Sequence, residues 1–210
     1  MSSKSSLLAA GVCAVSAAFC VALILPDRIV KAASPDAPFY TPNGDMQPPA
    51  NYREWIYLST GIDMSYSPGA MQMDHSTFDN VFVSPAAYRS FLATGTWPDK
   101  TIMVLELRGA KKKGSINQRG QFQDTAVNGV EVHVKDEKRF AGKWAFFEFD
   151  SMQKNGTLIP EKAPCYTCHA AHAAVDTTFV QFYPTLLPLA KEKSTLSASY
   201  LKDENAASAK

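Results

Sequence analysis

A pentapeptide near the C-terminal end, Cys165-Tyr166-Thr167-Cys168-His169, constrains this chain more than any other feature. Two thiols three positions apart, followed at once by a histidine, form the C-x-x-C-H spacing of covalent haem attachment. The spacing follows from the chemistry: each thiol adds to one vinyl group of the same haem, and the adjacent histidine is thereby placed to ligate iron from one face. A redox dithiol would need no histidine there. A zinc site built from Cys165, Cys168, His169 and His172 would normally recruit a second, distant pair, and the rest of the exported chain offers only scattered His75 and His133. The motif therefore reads as one covalently attached haem c, with Cys165 and Cys168 as thioether anchors and His169 as axial iron ligand.

The motif's surroundings bear on the second iron face. No methionine follows Met152, so the usual downstream thioether ligand is missing. His172 lies three residues after His169 on the same expected short helix and cannot easily swing to the opposite face of the haem. Five-coordinate iron with an open distal position is the economical inference. It favours gas or small-substrate chemistry over simple electron carriage.

The run from residue 7 to residue 25 contains no charged residue, follows Lys4, and is stopped by Pro26, Asp27 and Arg28. A positive start, an apolar middle and a small-residue exit near Ala32 and Ala33 read as an export signal. At 19 residues the run is also long enough to span a bilayer, so an uncleaved anchor stays open. Residues 1–33 are assigned to the signal or anchor, 34–47 to a linker, 48–190 to the haem domain and 191–210 to a polar C-terminal tail, either a frayed helix or disordered. The expected location is the periplasm, free or tethered to the inner membrane by residues 7–25. Cys13 and Cys20 fall in the export segment. The remainder carries 18 basic and 19 acidic side chains, which excludes a polybasic nucleic-acid binder.

Residues 81–84, 101–108, 129–135 and 144–150 are rich in β-branched and aromatic residues with period-2 alternation and read as strands. Residues 85–94 read as a helix, with Ser84 as N-cap, Pro85 at its start and Gly95 at its stop. A short helical turn is expected within 51–57. Asp176-Thr177-Thr178 is expected to cap a helix through Phe179, Phe182 and Leu186, bent or shortened by Pro184 and Pro188. Residues 111–120 read as a solvated loop. The fold class is α+β: a mainly antiparallel sheet with peripheral helices, the haem attached near the C-terminal ones.

Asn51-Tyr52-Arg53-Glu54-Trp55, Val81-Phe82-Val83-Ser84-Pro85, Trp97-Pro98-Asp99, Glu106-Leu107-Arg108, Val134-Lys135-Asp136, Arg139-Phe140, Trp144-Ala145-Phe146-Phe147, the haem motif and residues 179–184 occur in this order. In this order and density the chain resembles the cytochrome P-460 family over about residues 48–190. The resemblance implies an exported mono-haem homodimer with five-coordinate iron and an unidentified periplasmic electron-transfer partner. It also implies one of two branches. In the P-460 enzymes a lysine is cross-linked to the haem and hydroxylamine is oxidised with nitric oxide to nitrous oxide. In the related cytochromes c′-beta the cross-link is absent and an apolar distal pocket binds nitric oxide or carbon monoxide.

The cross-linking lysine of the enzymes matches Leu105, which has no nucleophilic nitrogen. Lys100 is the nearest substitute but belongs to a turn and is expected to point to solvent. Strand parity places Met103, Leu105 and Leu107 on one face, so Met103 joins Leu105 as a haem-pocket residue. Glu106 then faces away, as a surface or inter-strand ion-pair residue. A distal glutamate of the enzymes aligns with Glu131, a candidate proton acceptor whose pKa an apolar pocket would raise. The same parity sets His133 beside Glu131, to bond it or a propionate, although a lone strand histidine is more often at the surface. An arginine that some enzymes carry aligns with Asp79. Of Phe78, Phe82, Phe146 and Phe147, one or two are expected to touch the haem. The favoured reading is a small-ligand-binding haem module; the alternatives are a hydroxylamine oxidoreductase using Glu131 and an electron-transfer cytochrome.

Overall fold

A computed structural model describes residues 37–49, 51–66 and 75–208. The apolar run at 7–25, and with it the expected signal or anchor, lies outside the described residues.

The fold is α+β. Strands β1 (Ile56–Ile62), β2 (Thr77–Val83), β3 (Ile102–Lys111), β5 (Gly129–Lys135), β6 (Trp144–Phe149) and β7 (Thr157–Leu158) form one antiparallel path in the order β1-β2-β3-β5-β6-β7, and the short β4 (Phe122–Gln123) pairs with β3. Helices α1 (Pro85–Thr94), α2 (Pro164–His172), α3 (Leu187–Glu192) and α4 (Ala198–Ser208) accompany it. The expected strands are all present, but β2 starts at Thr77 and β3 runs on to Lys111. β1 was not expected, because Ser59, Thr60 and Gly61 blur its alternation. Helix α1 keeps its expected bounds and ends on Gly95 in the left-handed conformation (φ 74°), a geometry that favours glycine. Ser84 stands at its N-cap but makes no side-chain capping bond.

Register explains the two faces of the sheet. Val83, Met103, His133 and Phe146 share one rung across β2, β3, β5 and β6, and Val81, Leu105, Glu131 and Glu148 share the next rung on that face. Asn80, Glu106, Val130 and Phe149 form the rung after these and point to the opposite face. Each face carries its own core. One gathers Val83, Met103 and Trp144 with Phe91 and Trp97 and with Val175, Val180 and Leu186 from the C-terminal segment. The other gathers Val104, Val130, Val132, Val134, Phe147 and Phe149 with Tyr52 and Trp55.

One expectation is corrected and two open ones are decided. Residues 176–186 do not form one capped helix: Asp176 takes a left-handed conformation (φ 53°), Val180–Phe182 make a single 3-10 turn, and α3 begins only at Leu187. The two prolines and the side-chain bond from Thr178 to the Val175 carbonyl divide the segment. The polar stretch after residue 191 forms α4 and buries Tyr200 in the first core. Glu106 faces away from Leu105, as expected, and it is an ion-pair residue rather than a surface one. It is 1% exposed and accepts hydrogen bonds from Tyr52 Oη (2.5 Å), Arg53 and Arg108, with Asn80 at 3.4 Å. A carboxylate with two guanidinium partners is tolerated where an unpaired one would not be.

Candidate functional site

Helix α2 places Cys165, Cys168 and His169 at positions i, i+3 and i+4, which lie on one helical face. Both thiols are free. That face opens onto a cavity of about 630 Å³, within the range of cofactor sites. Its walls include the two cysteines and His169 from α2, Met103, Leu105 and Leu107 from β3, Glu131 and His133 from β5, Phe146 from β6, Asp79 from β2, and Tyr66, Phe179 and Phe182.

His169 Nδ1 donates to the Thr177 carbonyl at 2.7 Å. A carbonyl only accepts, so the proton sits on Nδ1 and Nε2 keeps its lone pair. Burial pushes the imidazole below the ordinary histidine range, partly offset by that bond, and so favours the neutral form that binds a metal. Phe179 lies against the His169 ring (centroids 4.1 Å apart) and Phe146 meets it edge-on at 4.7 Å. The turn that carries Thr177 is itself fastened. Trp97 Nε1 donates to Thr178 Oγ1 (2.8 Å), and Lys135 Nζ donates to the Trp97 carbonyl (2.8 Å) and to Asp176 Oδ2 (3.3 Å).

His133 is buried, not at the surface as a lone strand histidine would be expected. It stacks on Phe146 at 4.0 Å, lies 5.1 Å from the His169 ring, and shares a 3.2 Å hydrogen bond with the Thr177 hydroxyl. It therefore bonds Thr177, with no bond to Glu131. Burial, and then the neighbouring His169, push its pKa well below the ordinary value.

Glu131 lies one same-face rung further along the sheet, opposite Leu105 and Glu148. Its carboxylate reaches the open cavity. The residue keeps an exposed side to solvent, yet partial desolvation by the neighbouring walls raises its pKa, and the charges of Glu148 and Asp79 raise it further. Asp79, opposite Leu107 on the following rung, is raised by burial and by Asp63. Of the four phenylalanines singled out in the sequence, only Phe146 lines the cavity. Phe82 packs on Tyr52 and Tyr57, and Phe147 on Tyr40 and Phe140. Lys100 is outside the lining, where it pairs with Asp136 at the end of a turn. His172 Nδ1 pairs with Asp203 of α4 at 2.6 Å, away from His169. Among the described residues no group of three or more His, Cys, Asp or Glu is arranged to hold a metal ion alone, which leaves the zinc alternative without a ligand set.

Thr177, Phe179 and Tyr66 carry no sequence signal that marks them for a site. The role of Thr177 depends on a backbone carbonyl, which every residue owns.

These residues fit a haem: two thiols and one imidazole of fixed tautomer share a wall, and the facing sheet is largely aliphatic and aromatic. Fold and site together define a haem protein of the cytochrome class. Residues 49–180 match the family model of cytochrome P460, more than half the chain, and the protein belongs to that family. No curated protein matches the sequence.

Proposed function

We propose that this protein is an exported, mono-haem c-type cytochrome whose five-coordinate iron binds nitric oxide or a similar small nitrogenous ligand. Cys165 and Cys168 hold the haem by thioether bonds, and His169 Nε2 is its axial ligand. The bound haem supplies an iron that takes an axial ligand and exchanges electrons. The observation that carries the reading is the make-up of the two same-face rungs beyond His133. Val81, Leu105, Glu131 and Glu148 on one rung and Asp79, Leu107 and Gly129 on the next offer no nitrogen or sulfur ligand, so this part of the sheet presents no strong axial ligand to an iron. The resemblance of Leu105 to the enzymes' cross-linking lysine position argues in the same direction. Periplasmic location, a homodimer and a periplasmic redox partner complete the reading.

The test is spectroscopic. The purified holoprotein should show a five-coordinate spectrum in both oxidation states and an ordinary c-type ferrous spectrum after acid and denaturant. A six-coordinate spectrum lost on Met64→Leu would overturn it, since Met64 is a thioether at the cavity edge. A persistently red-shifted ferrous band would mean that a lysine is cross-linked after all.

Glu131 supports a second reading, oxidation of hydroxylamine. A carboxyl raised by burial beside the cavity is suited to accept a proton from an N–H or O–H near neutral pH. Anaerobic incubation with hydroxylamine and an oxidant, followed by nitrous oxide measurement, separates the two. Rapid production abolished by Glu131→Ala establishes the enzyme; its absence leaves the binding module.

A further inference from the structure

The cavity's ionisable lining is one-sided. Among the described residues it contains two carboxylates, Asp79 and Glu131, and no lysine or arginine. Neither carboxylate takes part in a salt bridge among the described residues. Their placement is set by the sheet. Asp79 pairs with Leu107 and Glu131 with Leu105, so the carboxylates stand on the same face two strands apart, about 10 Å laterally, on either side of the leucine floor.

Among the described residues Asp79 has no structural partner that explains it. Aspartate is disfavoured in strand interiors, and here it is half-buried, with the charge of another acid, Asp63, acting on it. Asn80, next to it, is fully engaged in side-chain bonds with Thr60, Gln123 and Glu106 on the other face. A strand position that needed only polarity could have used a similar amide. A carboxylate facing a largely apolar cavity instead sets a field there, which solvent screens only in part where the carboxylate is half-buried.

We propose that Asp79 is a specificity-determining residue of the ligand pocket: with Glu131 across the Leu105–Leu107 floor, it disfavours anionic ligands and selects small neutral or cationic ones. The inference deepens the proposed function and rests on its reading of the cavity as an open haem pocket. It narrows the ligand class from any small axial ligand to those without negative charge. For a ligand bound roughly 10 Å from the carboxylate, a unit charge at an effective dielectric near 20 would alter the binding of a monoanion by roughly tenfold.

The experiment uses ferric holoprotein, titrated at pH 8 and constant ionic strength with azide as the anionic probe and imidazole as the neutral one, followed by the Soret band. Asp79→Asn, nearly isosteric, should tighten azide by roughly tenfold and leave imidazole within about twofold. Glu131→Gln should act in the same sense, and the double variant should tighten azide further. A general loosening of the pocket would move both ligands together and would overturn the proposal. So would an azide-to-imidazole affinity ratio that is the same in wild type and Asp79→Asn, while the haem-pocket reading stands. If neither probe shifts the Soret band in any variant, the open-pocket reading falls and this inference falls with it.

Discussion

Lys135→Met tests whether the turn that orients the axial histidine is held by a buried lysine. Lys135 ends β5, and its side chain is only 9% exposed. Its ammonium donates to the Trp97 carbonyl at 2.8 Å and to Asp176 at 3.3 Å, with Glu137 at 3.5 Å. Methionine keeps most of the stem's packing against Trp144 and removes the charge. The Trp97 carbonyl then loses a charged donor in a buried place, which costs about 1–3 kcal/mol. The pairs with the partly exposed Asp176 and Glu137 add about 0.2–1 kcal/mol each. A loss of about 2–4 kcal/mol lowers Tm by about 4–16 °C for a domain of this size. Thermal unfolding of the holoprotein measures it, with Lys154→Met as control, because Lys154 and Asp150 are both largely exposed and that change should cost less than about 0.5 kcal/mol. A purely structural role would stop at Tm. Because Asp176 precedes Thr177, whose carbonyl accepts from His169, the iron–histidine stretch of the ferrous protein should also shift. A variant within about 1 kcal/mol of wild type with an unchanged stretch would refute the reasoning.

Two further outcomes follow from ion pairs elsewhere. Glu106→Gln leaves Arg53 and Arg108 without their shared carboxylate and should cost about 3 kcal/mol in urea unfolding at pH 7, at the low end for a buried pair because Arg53 is half-exposed. Burial pushes the Glu106 carboxyl up, but the bonds from Arg108 and Tyr52 and the two guanidinium charges outweigh it, so it sits below the ordinary value. Its contribution is therefore complete above the unfolded-state pKa and lost as pH falls through the lower folded value, and the gap between wild type and Glu106→Gln should close in acid. His172→Ala, by contrast, removes a pair whose members are both about half-exposed, and urea unfolding should register less than about 1 kcal/mol.

What the sequence made legible was local. The C-x-x-C-H spacing is read within one helical turn, α1 is bracketed by Pro85 and Gly95, and the alternation of 129–135 is complete within the strand. What it left hidden was set by partners far along the chain. Glu106 reads as either a surface or an ion-pair residue, with no sign of its burial, because Tyr52 and Arg53, which make that burial tolerable, lie more than fifty residues earlier. His133 reads as an ordinary strand histidine because the surfaces that bury it, Phe146 and Thr177, arrive on β6 and on the turn after α2. The helix expected at 176–186 failed for the opposite reason: local capping signals were outcompeted by the bonds of Thr178 and Lys135, which hold the turn open.

The two faces of the sheet depend on each other through register. Glu106 sits between Leu105 and Leu107 and points behind them, where its partners come from three places: Tyr52 and Arg53 before β1, Asn80 on β2 and Arg108 on β3 itself. Because strand side chains alternate, slipping β3 by one residue would turn Glu106 into the apolar cavity and Leu105 into the polar network. Both moves are costly: one leaves a carboxylate without its arginines, the other leaves two guanidiniums facing a leucine. A slip of two residues would preserve the faces but carry Glu106 away from Asn80 and Tyr52. The buried ion network therefore acts as a register lock for the opposite face. It keeps Leu105 against Glu131 and Leu107 against Asp79, the two rungs on which the pocket's chemistry depends.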